Sequence, residues 1–119
     1  MARHNDFGSS GEQIALKYLE SLGYEILDQN WTFGKAEIDL IAYKDSTIVF
    51  AEVKTRRNNN FADPEDFVSD EKQRLMAFAA DEYIHLMDHQ HEVRFDIITV
   101  LIDRFDHPRI SHIEDAFWP

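Results

Sequence analysis

The stretch from Ala36 to Arg57 constrains the fold more than any other, because it reads as two β-strands closed by a two-residue turn at Asp45-Ser46. Its residues alternate, are rich in β-branched and aromatic types, and are bounded by polar or glycine-containing segments. Putting Asp45 and Ser46 in the loop sets the register. Ile38 falls opposite Val53, Leu40 opposite Ala51, and Ala42 opposite Val49, which makes one face apolar throughout. On the other face Tyr43 meets Ile48, Ile41 meets Phe50, Asp39 meets Glu52, and Glu37 meets Lys54.

Two carboxylates directly across a strand pair sit roughly 4.5–5.5 Å apart at Cβ and repel each other. A divalent cation between Asp39 and Glu52 removes that objection, because hard cations such as Mg²⁺ take oxygen ligands and need only one or two carboxylates plus water and phosphate. Lys54, two residues beyond Glu52, would then sit beside the metal, where a lysine can orient a water or stabilise developing negative charge. The bland alternative is a solvated strand end carrying ordinary surface charges.

Asp39 followed by Glu52-Val53-Lys54 resembles the PD-(D/E)XK signature of the restriction-endonuclease-like superfamily. The longer pattern is more specific: Glu12 in an early helix, Glu37-Ile-Asp-Leu-Ile41 in one strand, and Phe50-Ala-Glu-Val-Lys-Thr-Arg56 in the next. It resembles the YraN-like family of small bacterial predicted endonucleases, distantly similar to archaeal Holliday junction resolvases. The likeness runs from about Gly11 to about Val100, and Ala36 stands where that family usually has glycine. It implies an α/β, restriction-endonuclease-like mixed sheet flanked by helices, and a Mg²⁺- or Mn²⁺-dependent nuclease. Asp39 and Glu52 would bind the ion, helped by the Val53 carbonyl. Glu12 would complete the site directly or through water, and Lys54 would serve catalysis. Arg56, Arg57 and Lys72 would contact nucleic acid, with DNA ahead of RNA, and junction resolvases suggest a homodimer by analogy.

The charge balance pulls the other way. Formal net charge is −11, with 23 acids against 12 Lys and Arg, whereas nucleic-acid binding usually draws on a basic surface. Distribution softens the conflict: Lys54, Arg56 and Arg57 face only Glu52 between Ala51 and Asn60, and the acids gather in 63–71 and 81–92. A length of 119 residues supports one domain, 1–119, with 1–6 as a flexible arm. The chain has no cysteine, which excludes disulfides and thiolate metal sites and fits a reducing cytosol. No signal-peptide core follows Met1, and the longest aliphatic run, near Ile97 to Ile102, is too short to span a membrane. The expectation is a soluble cytoplasmic protein.

The remaining elements follow from periodicity. A helix capped by Ser9 or Ser10 runs to about Leu22 and ends at Gly23, with Ile14, Ala15, Tyr18, Leu19 and Leu22 as its apolar stripe. Glu12 shares that stripe, and either closes a capping box with Ser9 or faces a site. Tyr24 to Phe33 reads as a strand, with Trp31 as core or edge packing. Asn58 to Glu65 is a polar, proline-broken loop, expected to be mobile. Ser69 caps a second helix to about Asp88, with Leu75, Met76, Ala79, Ala80, Tyr83, Ile84 and Met87 buried. Lys72 lies at the start of that stripe, either exposed or set for a phosphate. His85 and His89 have zinc-compatible spacing but lack further ligands, and His112 carries no signal. Val93 to Ile102 is a strand in which Arg94 and Asp96 share a face as an anchoring ion pair, 103–108 a turn, and Arg109 to Glu114 an edge strand.

The order is therefore α-β-β-β-α-β-β, with a helix placed to make a parallel crossover. The leading reading is a metal-dependent endonuclease acting on phosphodiesters, with structured DNA foremost. Two others stay open: a nucleic-acid-binding repair subunit without catalysis, and a protein-interaction module with a vestigial site.

Overall fold

The hairpin forms where its turn residues dictate. Asp45 and Ser46 both take positive φ, 51° and 63°, as a two-residue primed turn requires. The flanking strands are β2 (Ala36–Lys44) and β3 (Thr47–Arg56). They pair antiparallel from Lys44↔Thr47 through Tyr43↔Ile48, Ile41↔Phe50 and Leu40↔Ala51, the register the turn imposes. The structure, a computed structural model, describes residues 6–57, 68–103 and 107–118. Residues 1–5 of the arm expected at 1–6, the loop from Asn58 to Glu65 and the middle of the 103–108 turn lie outside those residues; the arm's last residue, Asp6, instead begins a helix.

The other elements are α1 (Asp6–Ser21), β1 (Glu25–Phe33), α2 (Asp70–Leu86), β4 (Glu92–Ile102) and β5 (Pro108–Ile113). The five strands make one sheet in the order β1-β2-β3-β4-β5. β3 and β4 run parallel, joined across α2, and every other pair is antiparallel. This is the mixed α/β arrangement expected from the order of elements.

Each helix covers one face. Ala15 and Leu19 of α1 pack on Leu40, Ala42, Val49, Ala51, Ile98 and Val100. Met76, Ala79, Ala80 and Tyr83 of α2 pack on Ile38, Ile41, Ile48, Phe50, Phe95 and Ile97. Full burial of such large apolar side chains contributes roughly 1.5–3 kcal/mol each. The ends of the stripes differ from expectation: Leu22 and Met87 are 42% and 50% exposed, because each lies past the last helical turn. Trp31 packs edge-on against Tyr83, in keeping with a packing role.

Three local readings are corrected. First, α1 begins at Asp6, so Ser9 and Glu12 lie inside the helix and cannot form a capping box at its start. Second, Ile38 does not share a face with Leu40: it joins the α2-side core with Ile41, while Leu40 faces α1. The alternation breaks at Asp39. Third, among the described residues the β2–β3 pairing ends at Leu40↔Ala51, so Asp39 and Glu52 are not a regular cross-strand pair. Asp39 instead turns its Oδ2 to accept the Val53 N–H at 2.8 Å.

Candidate active site

The break at Asp39 is matched on the neighbouring strand. β1 pairs with β2 at Trp31↔Ile38 and again at Gln29↔Leu40. Between them Asn30 has φ 49°, a left-handed conformation that asparagine tolerates better than most residues. Its side chain acts on the Glu12 carboxyl of α1, favouring the charged form. Two irregular backbone positions thus sit opposite each other at this end of the sheet, and the Asp39 carboxylate takes over an N–H of β3 beyond the regular ladder.

The resulting cavity, about 370 Å³, is lined by Gly8, Glu12, Glu37, Asp39, Glu52, Val53, Lys54, Thr55 and Arg56. All four residues assigned to chemistry by resemblance line it: Glu12, Asp39, Glu52 and Lys54. So do Val53 and Arg56. Arg57 is exposed at the end of β3 and is not part of the lining. Lys72 reaches the site from the first turn of α2, placing Nζ 2.7 Å from Oε2 of Glu52. Ser69 caps that helix, its Oγ accepting from the Lys72 N–H at 3.1 Å.

Gly11 allows α1 to come this close. A Cβ built there would fall 1.9 Å from Oγ1 of Thr55, so glycine is what lets the helix lie against β3 and bring Glu12, its next residue, to the cavity. Sequence reasoning missed Gly11, because only the contact with Thr55 shows that a side chain is excluded.

The electrostatics fit a crowded acid site. Burial, then the charge of Glu52, pushes the Asp39 carboxyl up to about 7, despite the hydrogen bond from Val53. Burial also raises Glu12, opposed by its bond with Asn30 and reinforced by Glu37 and Glu52. Burial works against charge on Lys72, but the hydrogen bond and charge of Glu52 outweigh it and its pKa is raised. Glu52 is 4% exposed, and its Oε1 is buried with no hydrogen-bond partner. A buried carboxylate oxygen without a partner is costly.

This donor set suits a hard divalent cation: the candidate side-chain ligands are all carboxylates, and Glu52 Oε1 is an acceptor in need of a partner. Among the described residues, no three His, Cys, Asp or Glu side chains already close around one point. The Lys72 ammonium is in contact with Glu52 in this structure.

A second polar cluster lies elsewhere on the sheet. Asp96, fully buried, receives a two-pronged bond from Arg94 (Nε to Oδ1 and Nη2 to Oδ2, both 2.9 Å). It also meets His112 Nε2 at 2.7 Å and accepts the Asp115 N–H at 3.0 Å. His112 Nδ1 in turn meets the Tyr18 hydroxyl at 3.0 Å. Burial alone would raise Asp96, but His112, Arg94 and the Asp115 N–H hold it below the usual carboxylate range. The Arg94–Asp96 ion pair is as expected. His112, which carried no signal in the sequence, belongs to the same network: a neighbour 16 positions away on another strand leaves no local pattern. His85 is exposed on α2, and His89 packs against Tyr43 and His91.

Comparison with known proteins points one way. The profile of the uncharacterised protein family UPF0102 matches residues 11–100. A UPF0102 protein of Flavobacterium psychrophilum is 48% identical over 118 residues, covering 99% of this chain and 98% of its own length. UPF0102 proteins of Phocaeicola vulgatus and Bacteroides fragilis are 43% and 45% identical over 119 residues, each covering 100% of this chain and 98% of its own length.

Proposed function

Starting from a chain that belongs to the uncharacterised protein family UPF0102, we propose that it is a metal-dependent endonuclease that hydrolyses phosphodiester bonds, with branched or otherwise structured DNA as its substrate class. The observation that carries this reading is Glu52: a buried carboxylate with one oxygen unpartnered, in a cavity shared with Asp39, Glu12 and Lys54.

Asp39, Glu52 and the Val53 carbonyl would hold Mg²⁺ or Mn²⁺, with Glu12 completing the set. A bound ion of this kind lowers the pKa of water and offsets charge on the phosphoryl oxygens. The chain's own residues do the rest. The Val53 N–H fixes the Asp39 carboxylate, and the Asn30 side chain favours the charged form of Glu12. Lys54, on the cavity wall, orients the attacking water and supports charge as it develops. Arg56 on the wall, Arg57 just beyond, and Lys72 at the start of α2 engage the phosphate backbone. With a net charge of −11, affinity depends on this local patch rather than on long-range steering.

No helix among the described residues is long and apolar enough to cross a membrane, and a cytoplasmic location is part of the proposal, which a cysteine-free chain fits. A homodimer, as in junction resolvases, remains part of the proposal by analogy only. Incubating the chain with branched, flap, single-stranded and duplex DNA and the matching RNAs, in Mn²⁺ or in EDTA, tests the reading. Mn²⁺-dependent cleavage of a branched or flap substrate is expected. Binding without cleavage would leave a repair-complex subunit in its place.

A further inference from the structure

Lys72 makes an unusual reach. Its side chain is 45% exposed, while that of Glu52 is 6% exposed. The ammonium therefore enters from the solvent side and ends on a buried oxygen, 2.7 Å away. Lysine is a compact point charge on a flexible four-carbon stem, and the backbone beneath it is fixed by the Ser69 cap. The side chain can thus move without moving the helix. Beside it lies a groove of about 380 Å³, lined among others by Lys35, Glu37, Ser69, Lys72 and Leu75. Glu37 lines this groove and the acid cavity alike.

We propose that Lys72 is a tethered competitor of the divalent cation at Glu52, so that ion entry displaces its ammonium towards the groove and makes it available to a substrate phosphate. This deepens, and rests on, the reading that the acid cavity holds a divalent ion. It makes Lys72 a positioning residue with two alternative partners. A buried carboxylate needs a counter-charge, and the tether supplies one whenever no ion does. When the ion binds, two cations contend for one carboxylate and the mobile one leaves. The coupling is reciprocal: a phosphate that holds Lys72 favours ion binding, and an ion that frees Lys72 favours phosphate binding.

The test is Mn²⁺ titration of the full chain by calorimetry, with no nucleic acid present, together with melting curves in EDTA and in Mn²⁺. Lys72→Met keeps much of the stem and removes the charge. It should bind Mn²⁺ about tenfold more tightly than wild type, within the ~5–150-fold range usual for coupled sites. It should also melt below wild type in EDTA and gain more from Mn²⁺. Lys35→Met removes a charge from the same groove, on the turn between β1 and β2, and should change the Mn²⁺ Kd by about twofold or less, as a screened charge does. Mn²⁺ binding by Lys72→Met that is equal to or weaker than wild type would overturn the proposal, because Lys72 would then be supporting Glu52 as a ligand. A matching change in Lys35→Met would overturn it too, reducing the effect to net charge. Absence of Mn²⁺ binding by wild type and Lys72→Met alike is a separate failure: it removes the divalent-ion reading itself.

Discussion

Asp39→Asn should stabilise the protein in the absence of metal, and the gain should grow with pH. In the folded chain the Asp39 carboxyl is pushed from the ordinary 3.8 up to about 7, first by burial and then by Glu52. Between those values the folded state keeps a proton that the unfolded chain has released, so this group's contribution is fully present at low pH and is lost as pH rises towards 7. At about 1.4 kcal/mol per pH unit, the gap sets a ceiling of about 4 kcal/mol. Water at the cavity mouth and side-chain relaxation reduce it, and about 1–2 kcal/mol is the expected gain. Asparagine can still accept the Val53 N–H through its amide oxygen, so the backbone contact at 2.8 Å survives. Urea unfolding in EDTA should show wild type and variant alike near about pH 4 and the variant ahead by about pH 8. Melting temperatures at the higher pH should differ by about 4–10 °C. With Mn²⁺ the order should reverse, because the variant lacks one of the proposed carboxylate ligands. A variant less stable than wild type at both pH values would refute this reasoning and make Asp39 a structural anchor for β3.

Asp96→Asn should cost about 3–5 kcal/mol, because Arg94 would be left without its buried counter-charge. Since Asp96 is held below the usual range, its contribution is present at neutral pH and fades as pH falls through its folded value, as acid titration of stability would register. Gly11→Ala should destabilise by about 1–3 kcal/mol through overpacking, despite the helix propensity it gains. Thr55→Ala should recover part of the loss, because it removes the atom 1.9 Å from the new methyl; a purely additive double mutant would contradict that contact. Lys54→Ala should slow single-turnover cleavage about 10²–10³-fold while leaving Mn²⁺ affinity near wild type, and Lys54→Arg should rescue poorly.

The hairpin register was legible because one feature, the Asp45-Ser46 turn, fixes it, and alternation carries the information along the strands. It stopped being legible where the backbone stops alternating. Nothing in Glu37-Ile-Asp-Leu says that Asp39 leaves the ladder to accept the Val53 N–H, and that departure sends Ile38 to the α2 face. The positive φ at Asn30 is hidden in the same way, because asparagine is ordinary in a loop and uninformative in a strand. The acids were readable as a pattern, and their convergence with Glu12 on one cavity follows once α1 lies against β3. That approach depends on Gly11 and Thr55, 44 positions apart in sequence. Lys72 was placed on the right helix face by its spacing from Leu75, but its partner is a side chain 20 positions away. The start of α1 was missed because Ser9, though a good cap residue, lies within a helix that begins at Asp6.

The most direct measurement is the single-turnover cleavage rate of wild type against Glu52→Gln, on a branched DNA substrate in Mn²⁺ with an EDTA control. Wild type should cut, EDTA should abolish cutting, and Glu52→Gln should be at least about 10²-fold slower while remaining folded. Equal rates for the two proteins, or cleavage that persists in EDTA, would contradict a metal-dependent nuclease site in this cavity.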